Sequence, residues 1–293
     1  MITMEVKNVS KSYGKVKALE DVDLIFGENK IYGLLGRNGA GKTTLLNLMT
    51  NKLFPDQGSI LLEGMNVMEN DVALNRIFYM TEKNLYPLGS RCKELFKWTK
   101  AFYQNFDLEY AKGLAKKFDL DINKKVKDLS TGYASIFKAI LALASNAEVL
   151  IFDEPILGLD AYHRDMLYKE ILKNYIAQPK TVIISTHLIE EVSDVLEEVI
   201  IIKKGRIMLS QPVEELLSSA YTVSGESSKV ERYITGRKCI QKEALGNFQA
   251  AVILGQLQDP DKAIIKELGL NINKAELQKL FISLTNSQEG ALS

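Results

Sequence analysis

Gly36-Arg37-Asn38-Gly39-Ala40-Gly41-Lys42-Thr43 has the form G-x-x-x-x-G-K-[ST], and the reading of the chain turns on it. In this pattern glycines let the backbone wrap closely, so that successive N–H groups point at one anion. Lys42 is expected to reach the β- and γ-phosphates of a nucleotide, and the Thr43 hydroxyl to ligate Mg²⁺. Upstream, Ile31-Tyr32-Gly33-Leu34-Leu35 reads as a buried strand. Downstream, Thr44-Leu45-Leu46-Asn47-Leu48-Met49 reads as a helix whose positive end faces the loop. This strand–loop–helix context disfavours the competing reading, a glycine-rich turn that binds nothing. Gly36, Asn38, Gly39, Ala40, Gly41, Lys42, Thr43 and Thr44 are the candidate nucleotide-binding residues.

A second motif lies far downstream. Val149-Leu150-Ile151-Phe152-Asp153-Glu154 is an apolar strand ending in two carboxylates, at the carboxyl end where α/β sheets place their ligands. Asp153 is a candidate to hold Mg²⁺ through a water, and Glu154 to polarise a water attacking the γ-phosphate. The alternative is an acidic strand end facing solvent.

Between and around these motifs the pattern alternates. Strands are expected at 4–9, 18–26, 31–35, 58–64, 76–81, 149–152, 181–185, 199–202 and 206–209. Residues 84–147 read as a helical insert, with Leu95, Phe96, Trp98, Thr99, Phe102, Tyr103 and Phe106 recurring at spacings of three and four. Further helices are expected at 162–177 and 188–196. This is an α/β chain with a largely parallel sheet covered on both faces. Ser224-Gly225-Glu226-Ser227-Ser228 is a break signal. We read 1–215 as the nucleotide-binding domain and 220–293 as a small α+β accessory domain, with strands near 221–224 and 249–254 and helices near 228–234, 260–268 and 274–284.

Bulk composition excludes little but is consistent. The 293 residues are 46% hydrophobic and 25% charged, with 37 basic and 37 acidic side chains. A net charge of zero argues against a nucleic-acid binder acting through a global basic field. Cys92 and Cys239 form no metal-spaced cluster and read as free thiols. No secretory signal and no stretch approaching the roughly 20 apolar residues of a membrane span is evident.

At this point a family resemblance becomes specific. Asp153-Glu154-Pro155-Ile156-Leu157-Gly158-Leu159-Asp160 resembles the Walker B strand, catalytic glutamate and D-loop of the nucleotide-binding subunits of ABC transporters, with Ile156 in place of the usual threonine. Leu129-Ser130-Thr131-Gly132-Tyr133 resembles their signature motif, usually L-S-G-G-Q; Ser185-Thr186-His187 resembles the switch histidine; and Tyr13, in Lys11-Ser12-Tyr13-Gly14, matches the aromatic that stacks on adenine. The ordered set covers about residues 4–210. The resemblance implies a P-loop NTPase cassette: a RecA-like core with an antiparallel β subdomain and an inserted α-helical subdomain. It implies ATP and Mg²⁺ as ligands, with Thr43, Glu82 and Asp153 toward the metal and Glu154 and His187 as catalytic residues. Ser130 and Gly132 would serve a nucleotide held by a second cassette, identical or different, with Asp160 in the D-loop between them. It implies an integral-membrane permease as partner, and so a cytoplasmic subunit held peripherally at the inner face of the membrane, with no nucleic acid.

Two positions depart from the family. Glu82 stands where the Q-loop glutamine is usual; a carboxylate can ligate Mg²⁺ but, ionised, cannot donate a hydrogen bond. Glu82 is therefore expected to keep the metal role and alter how the site senses the permease. Thr131 replaces the first signature glycine, and a threonine tolerates positive φ poorly, so a distorted backbone is expected if the family conformation needs one. Leu277-Gln278-Lys279-Leu280-Phe281-Ile282-Ser283-Leu284-Thr285 is similar to a helix near the end of two-gene exporter subunits, which favours export; Leu129-Ser130-Thr131-Gly132-Tyr133 together with Gly158-Leu159-Asp160-Ala161-Tyr162-His163-Arg164 resembles Gram-positive systems handling peptides or antimicrobials, so peptide, antimicrobial or lipid-like cargo is expected. Two alternatives stay open: a DNA-maintenance ATPase of the same superfamily, which would carry long heptad insertions that the interval from Thr43 to Ser130 lacks, and an ATP-binding regulatory module with little turnover.

Overall fold

The computed structural model describes residues 2–286 and divides into two compact units, Met1–Ser210 and Gln211–Ser293. The first holds two sheets. A six-stranded sheet runs Arg206–Pro212, Glu198–Lys203, Ile31–Leu35, Thr181–Thr186, Val149–Asp153, Ile77–Met80 in spatial order. The pairings among the last five are parallel. Ile31–Leu35, Val149–Asp153 and Thr181–Thr186 are buried at every position, which is why they read as continuous apolar runs rather than alternating ones. A four-stranded sheet places Val16–Gly27, Ile2–Tyr13, Gln57–Leu62 and Met65–Asn66 side by side, antiparallel throughout. One core joins the sheets, with Met4, Val6, Phe26, Leu45, Leu62, Ile151 and Ile200 among its buried members.

The helical insert consists of Cys92–Phe102, Leu108–Lys117 and Thr131–Ala144. Its expected aromatic stripe splits in two. Phe96 and Phe106 are buried and pack with Phe137, whose ring lies 6.0 Å from that of Phe96. Trp98 and Phe102 face outward and line a groove of about 440 Å³ with Tyr79, Tyr86, Tyr103 and Lys52. Tyr103 anchors the wall by donating from its hydroxyl to the Ile77 carbonyl at 2.8 Å.

The second unit is a βαββαβ arrangement: Ala220–Glu226, Ser227–Ile234, Cys239–Leu245, Phe248–Leu254, Asp259–Leu268, Asn271–Lys274. Its sheet order, Cys239–Leu245, Phe248–Leu254, Ala220–Glu226, Asn271–Lys274, is antiparallel at every pairing. The two central strands match the sequence expectation. The two outer ones had none, because edge positions are largely exposed and carry polar residues with no clean alternation. Tyr221, Val223, Val230, Tyr233, Ala251, Ile253 and Ile265 form its core. The final helix, Leu277–Asn286, buries Leu277, Leu280, Phe281 and Leu284 against Val213–Ser218 and Cys239–Leu245.

Candidate active site

Sheet register assembles the site. Leu35 pairs with Thr186, Asp153 with Ser185 and Met80 with Phe152, so all four central strands end at one edge. The loops leaving that edge carry Gly36–Thr43, Glu154, His187 and Glu82.

The glycine-rich loop closes onto the helix Lys42–Met49. Gly41 caps that helix at φ 111°, and a Cβ there would lie 2.7 Å from the Ala18 carbonyl, so no other residue fits. Ala40 is tied on both sides, its N–H donating to Arg37 O at 3.0 Å and its carbonyl accepting from Gly205 N at 2.9 Å. Arg37, Asn38 and Gly39 are exposed at the rim. Lys42 is only 7% exposed and donates from Nζ to Gly36 O at 2.6 Å, across the cradle. Burial pushes its pKa down, against the pull of Glu154, Asp153 and Glu82. Thr44 is half-buried at the start of the helix.

Asp153 is buried and its carboxylate is fully engaged. Thr43 Oγ1 and Tyr79 OH donate to Oδ2 at 3.0 and 3.2 Å, and Ser185 Oγ donates to Oδ1 at 2.9 Å. Desolvation beside the carboxylate pushes the Tyr79 pKa well above the ordinary phenol range. The next residue, Glu154, sits at φ 50°, a left-handed conformation uncommon outside glycine. Its N–H still bonds Ser185 O at 2.9 Å, and the turn throws the carboxylate toward Thr186 and His187. Thr186 Oγ1 donates to Oε2 at 3.1 Å, and His187 Nδ1 lies 2.8 Å from Oε1. A buried lysine, a threonine hydroxyl and an oriented carboxylate thus lie beside the glycine-rich loop, groups that could serve phosphoryl transfer to water.

The family described as ABC transporter matches residues 19–157 of this chain. Among curated relatives, the uncharacterized ABC transporter ATP-binding protein YhaQ of Bacillus subtilis (strain 168) is 30% identical over 233 residues, covering 74% of this chain and 73% of YhaQ. The chain belongs to the ABC transporter ATP-binding proteins. ATP-binding protein YtrB of the same organism is 28% identical, with 73% of each chain covered. In three dimensions the chain matches an ATP-binding subunit of an ABC transporter at TM-score 0.67 and 22% identity, covering 73% of this chain and 91% of that one. A bacterial ABC transporter cassette solved as a dimer matches at TM-score 0.64 and 25% identity, over 72% and 98%. This cassette is therefore the ATP-binding subunit of an ABC transporter, from a family of ATPases.

The remaining cassette motifs lie as follows. Ser130 is the N-cap of Thr131–Ala144, its Oγ accepting from Tyr133 N at 3.3 Å. Thr131 corrects an expectation: it is the first helical residue and is absent from the positive-φ positions among the described residues, so no distortion arises there. Gly132 is instead the tight point, because a Cβ on it would meet the Gly158 carbonyl at 2.5 Å. The signature helix and the D-loop therefore touch backbone to backbone. Asp160 caps the helix Ala161–Ala177, accepting at Oδ1 from His163 N at 2.8 Å and lying 2.9 Å from His163 Nδ1. Tyr13 ends the first strand, pairs with Val16 and is half-exposed, a free ring face near the hairpin that backs Gly41.

Sequence reasoning missed three groups at this site. Tyr79 and Ser185 hold Asp153; Tyr79 read only as sheet, and Ser185 only as the residue leading into the switch histidine. Lys138, 4% exposed, donates to Thr81 O at 2.8 Å and Glu82 O at 2.6 Å. Its one visible signal was a lysine inside the apolar run of Thr131–Ala144.

As for Mg²⁺, no three His, Cys, Asp or Glu side chains among the described residues converge to hold a metal alone. An ion bound mainly through phosphates needs only one or two protein oxygens, and Thr43 and Asp153, hydrogen-bonded to each other, could supply them.

Proposed function

We propose that this cassette hydrolyses MgATP in a pair, homomeric or with a different cassette, and drives a separate integral-membrane permease as an exporter. The observation that carries the hydrolytic role is Glu154, held by Thr186 and His187 beside the loop that begins at Gly36. In this reading Gly36, Asn38, Gly39, Ala40, Gly41 and Thr44 cradle the phosphates, Lys42 offsets their charge, and Tyr13 stacks on adenine. Thr43 and Asp153, with Glu82 from the neighbouring strand end, would hold Mg²⁺. The ion, when bound, neutralises charge developing on the phosphate oxygens. Glu154 orients the attacking water and takes its proton, while His187 keeps the carboxylate in place and faces the γ-phosphate. Ser130 and Gly132 complete the partner's site, and Asp160 sits at the seam.

The groove lined by Trp98, Phe102 and Tyr103 is the docking place for the permease, which brings the subunit to the inner face of the membrane. None of the described helices is long and apolar enough to cross a membrane. Export is supported by the likeness of Leu277–Thr285 to a helix near the end of exporter subunits. The relatives also include a ribose import protein, RbsA, of which this chain spans 45%, and a sulfate/thiosulfate import protein, CysA. Inverted membrane vesicles holding the cassette and its permease test the direction: ATP-dependent cargo uptake into them means export, and ATP-dependent loss from preloaded vesicles means import.

A further inference from the structure

Tyr79 touches two places at once. It belongs to the strand Ile77–Met80, which pairs with Val149–Asp153 and ends beside it. Its hydroxyl donates to Asp153 Oδ2 at 3.2 Å, the same oxygen that accepts from Thr43 Oγ1 at 3.0 Å. Its ring lines the groove that also holds Trp98, Phe102 and Tyr103. Lys52 Nζ lies 4.6 Å from the centre of that ring, a cation over a π-face. The groove wall is fixed to the same strand, because Tyr103 donates to the Ile77 carbonyl and its ring lies 5.1 Å from that of Phe78. A phenol is a rigid body, so a shift of the ring in the groove is also a shift of the hydroxyl on Asp153. Ser185 donates to Asp153 as well, at Oδ1, but it is fully buried and lies outside the groove lining.

We propose that Tyr79 is a positioning residue that joins the groove to the nucleotide site. An apolar permease segment seated against its ring shifts the hydroxyl on Asp153, and so adjusts the pair of oxygens, from Thr43 and Asp153, offered to Mg²⁺. Coupling of this kind is reciprocal, so filling the Mg²⁺ position also moves the groove wall. The inference rests on the readings of Gly36–Thr43 as the ATP site and of the groove as the seat of the permease.

Trp98 is the sole tryptophan of the chain and stands in the groove, 48% exposed, so its emission reports on that wall. The test follows Trp98 emission as Mg²⁺ is added, to saturation, to the chain holding a non-hydrolysable ATP analogue. Wild type, Tyr79→Phe and Ser185→Ala are compared, with affinity for the analogue measured on the same samples by calorimetry, with and without Mg²⁺. In wild type the emission is expected to change by about 10% or more. Tyr79→Phe keeps the ring and loses the hydroxyl; it is expected to bind the metal-free analogue within about twofold of wild type and to lose at least about four-fifths of the emission change. Ser185→Ala also removes a donor from Asp153 but leaves the groove untouched, and is expected to keep the emission change. A wild-type emission that stays constant while Mg²⁺ tightens the analogue would overturn the proposal. So would a full response in Tyr79→Phe, or a response lost equally in Ser185→Ala, which would make any loosening of Asp153 sufficient. A wild-type chain that binds no analogue would instead overturn the ATP-site reading. Phe102→Glu that still sediments with permease-bearing membrane vesicles as wild type does would instead overturn the docking reading.

Discussion

His187 Nδ1 lies 2.8 Å from Glu154 Oε1. The histidine is 44% exposed and the glutamate 13%, so the imidazole covers the carboxylate while keeping a face to solvent. The contact orients Glu154 without burying it. His187→Ala is therefore expected to lower the rate of phosphate release at least about 100-fold, with the KM for ATP moving less than about threefold. Steady-state phosphate release against ATP concentration checks this.

Gly132 and Gly158 approach so closely that any side chain on the first must push the second away. Gly132→Ala is expected to destabilise the chain by about 1–3 kcal/mol and to displace the D-loop. Thermal melting reads the first effect. The second is expected to appear as loss of cooperativity in ATP hydrolysis, because in the proposed pair the signature motif and D-loop would face the partner cassette.

Thr131→Gly, which restores the usual family residue, is expected to leave turnover within about twofold and to cost under about 1 kcal/mol, since Thr131 is already helical. A large gain in turnover would mean that the threonine does hold the site in a poor conformation.

Burial pushes the Cys92 thiol up to about 11, so at pH 8 its thiolate fraction is on the order of one in a thousand. Native Cys92 should alkylate with iodoacetamide roughly a hundredfold more slowly than in urea. Because the folded thiol keeps its proton where the unfolded one loses it, this group makes stability fall as pH rises from about 9 to about 11. Peptide mass spectrometry of the alkylated chain, at pH 8 and pH 10, follows both cysteines separately.

Much of the site was readable before the fold because phosphate chemistry constrains local sequence. Gly41 can be only glycine, and Asp153 and Glu154 must end an apolar strand. What could not be read was set by register. Tyr79 and Ser185 reach Asp153 from neighbouring strands, and Lys138 reaches the Glu82 turn from a helix 56 positions away. Thr131 failed for the opposite reason: its helical φ depends on where the helix starts, and Ser130 caps the helix so that Thr131 is its first residue. The outer strands of the second unit were missed because exposure, not chemistry, decides their composition.

The central claim is that Glu154 activates the water that attacks ATP bound at Gly36–Thr43. Phosphate release by the wild-type chain and by Glu154→Gln, with nucleotide affinity measured on the same samples, tests it most directly. The account predicts turnover by wild type, background release by Glu154→Gln, and equal affinity for ATP in both. Equal rates in the two, with ATP bound by both, would contradict it.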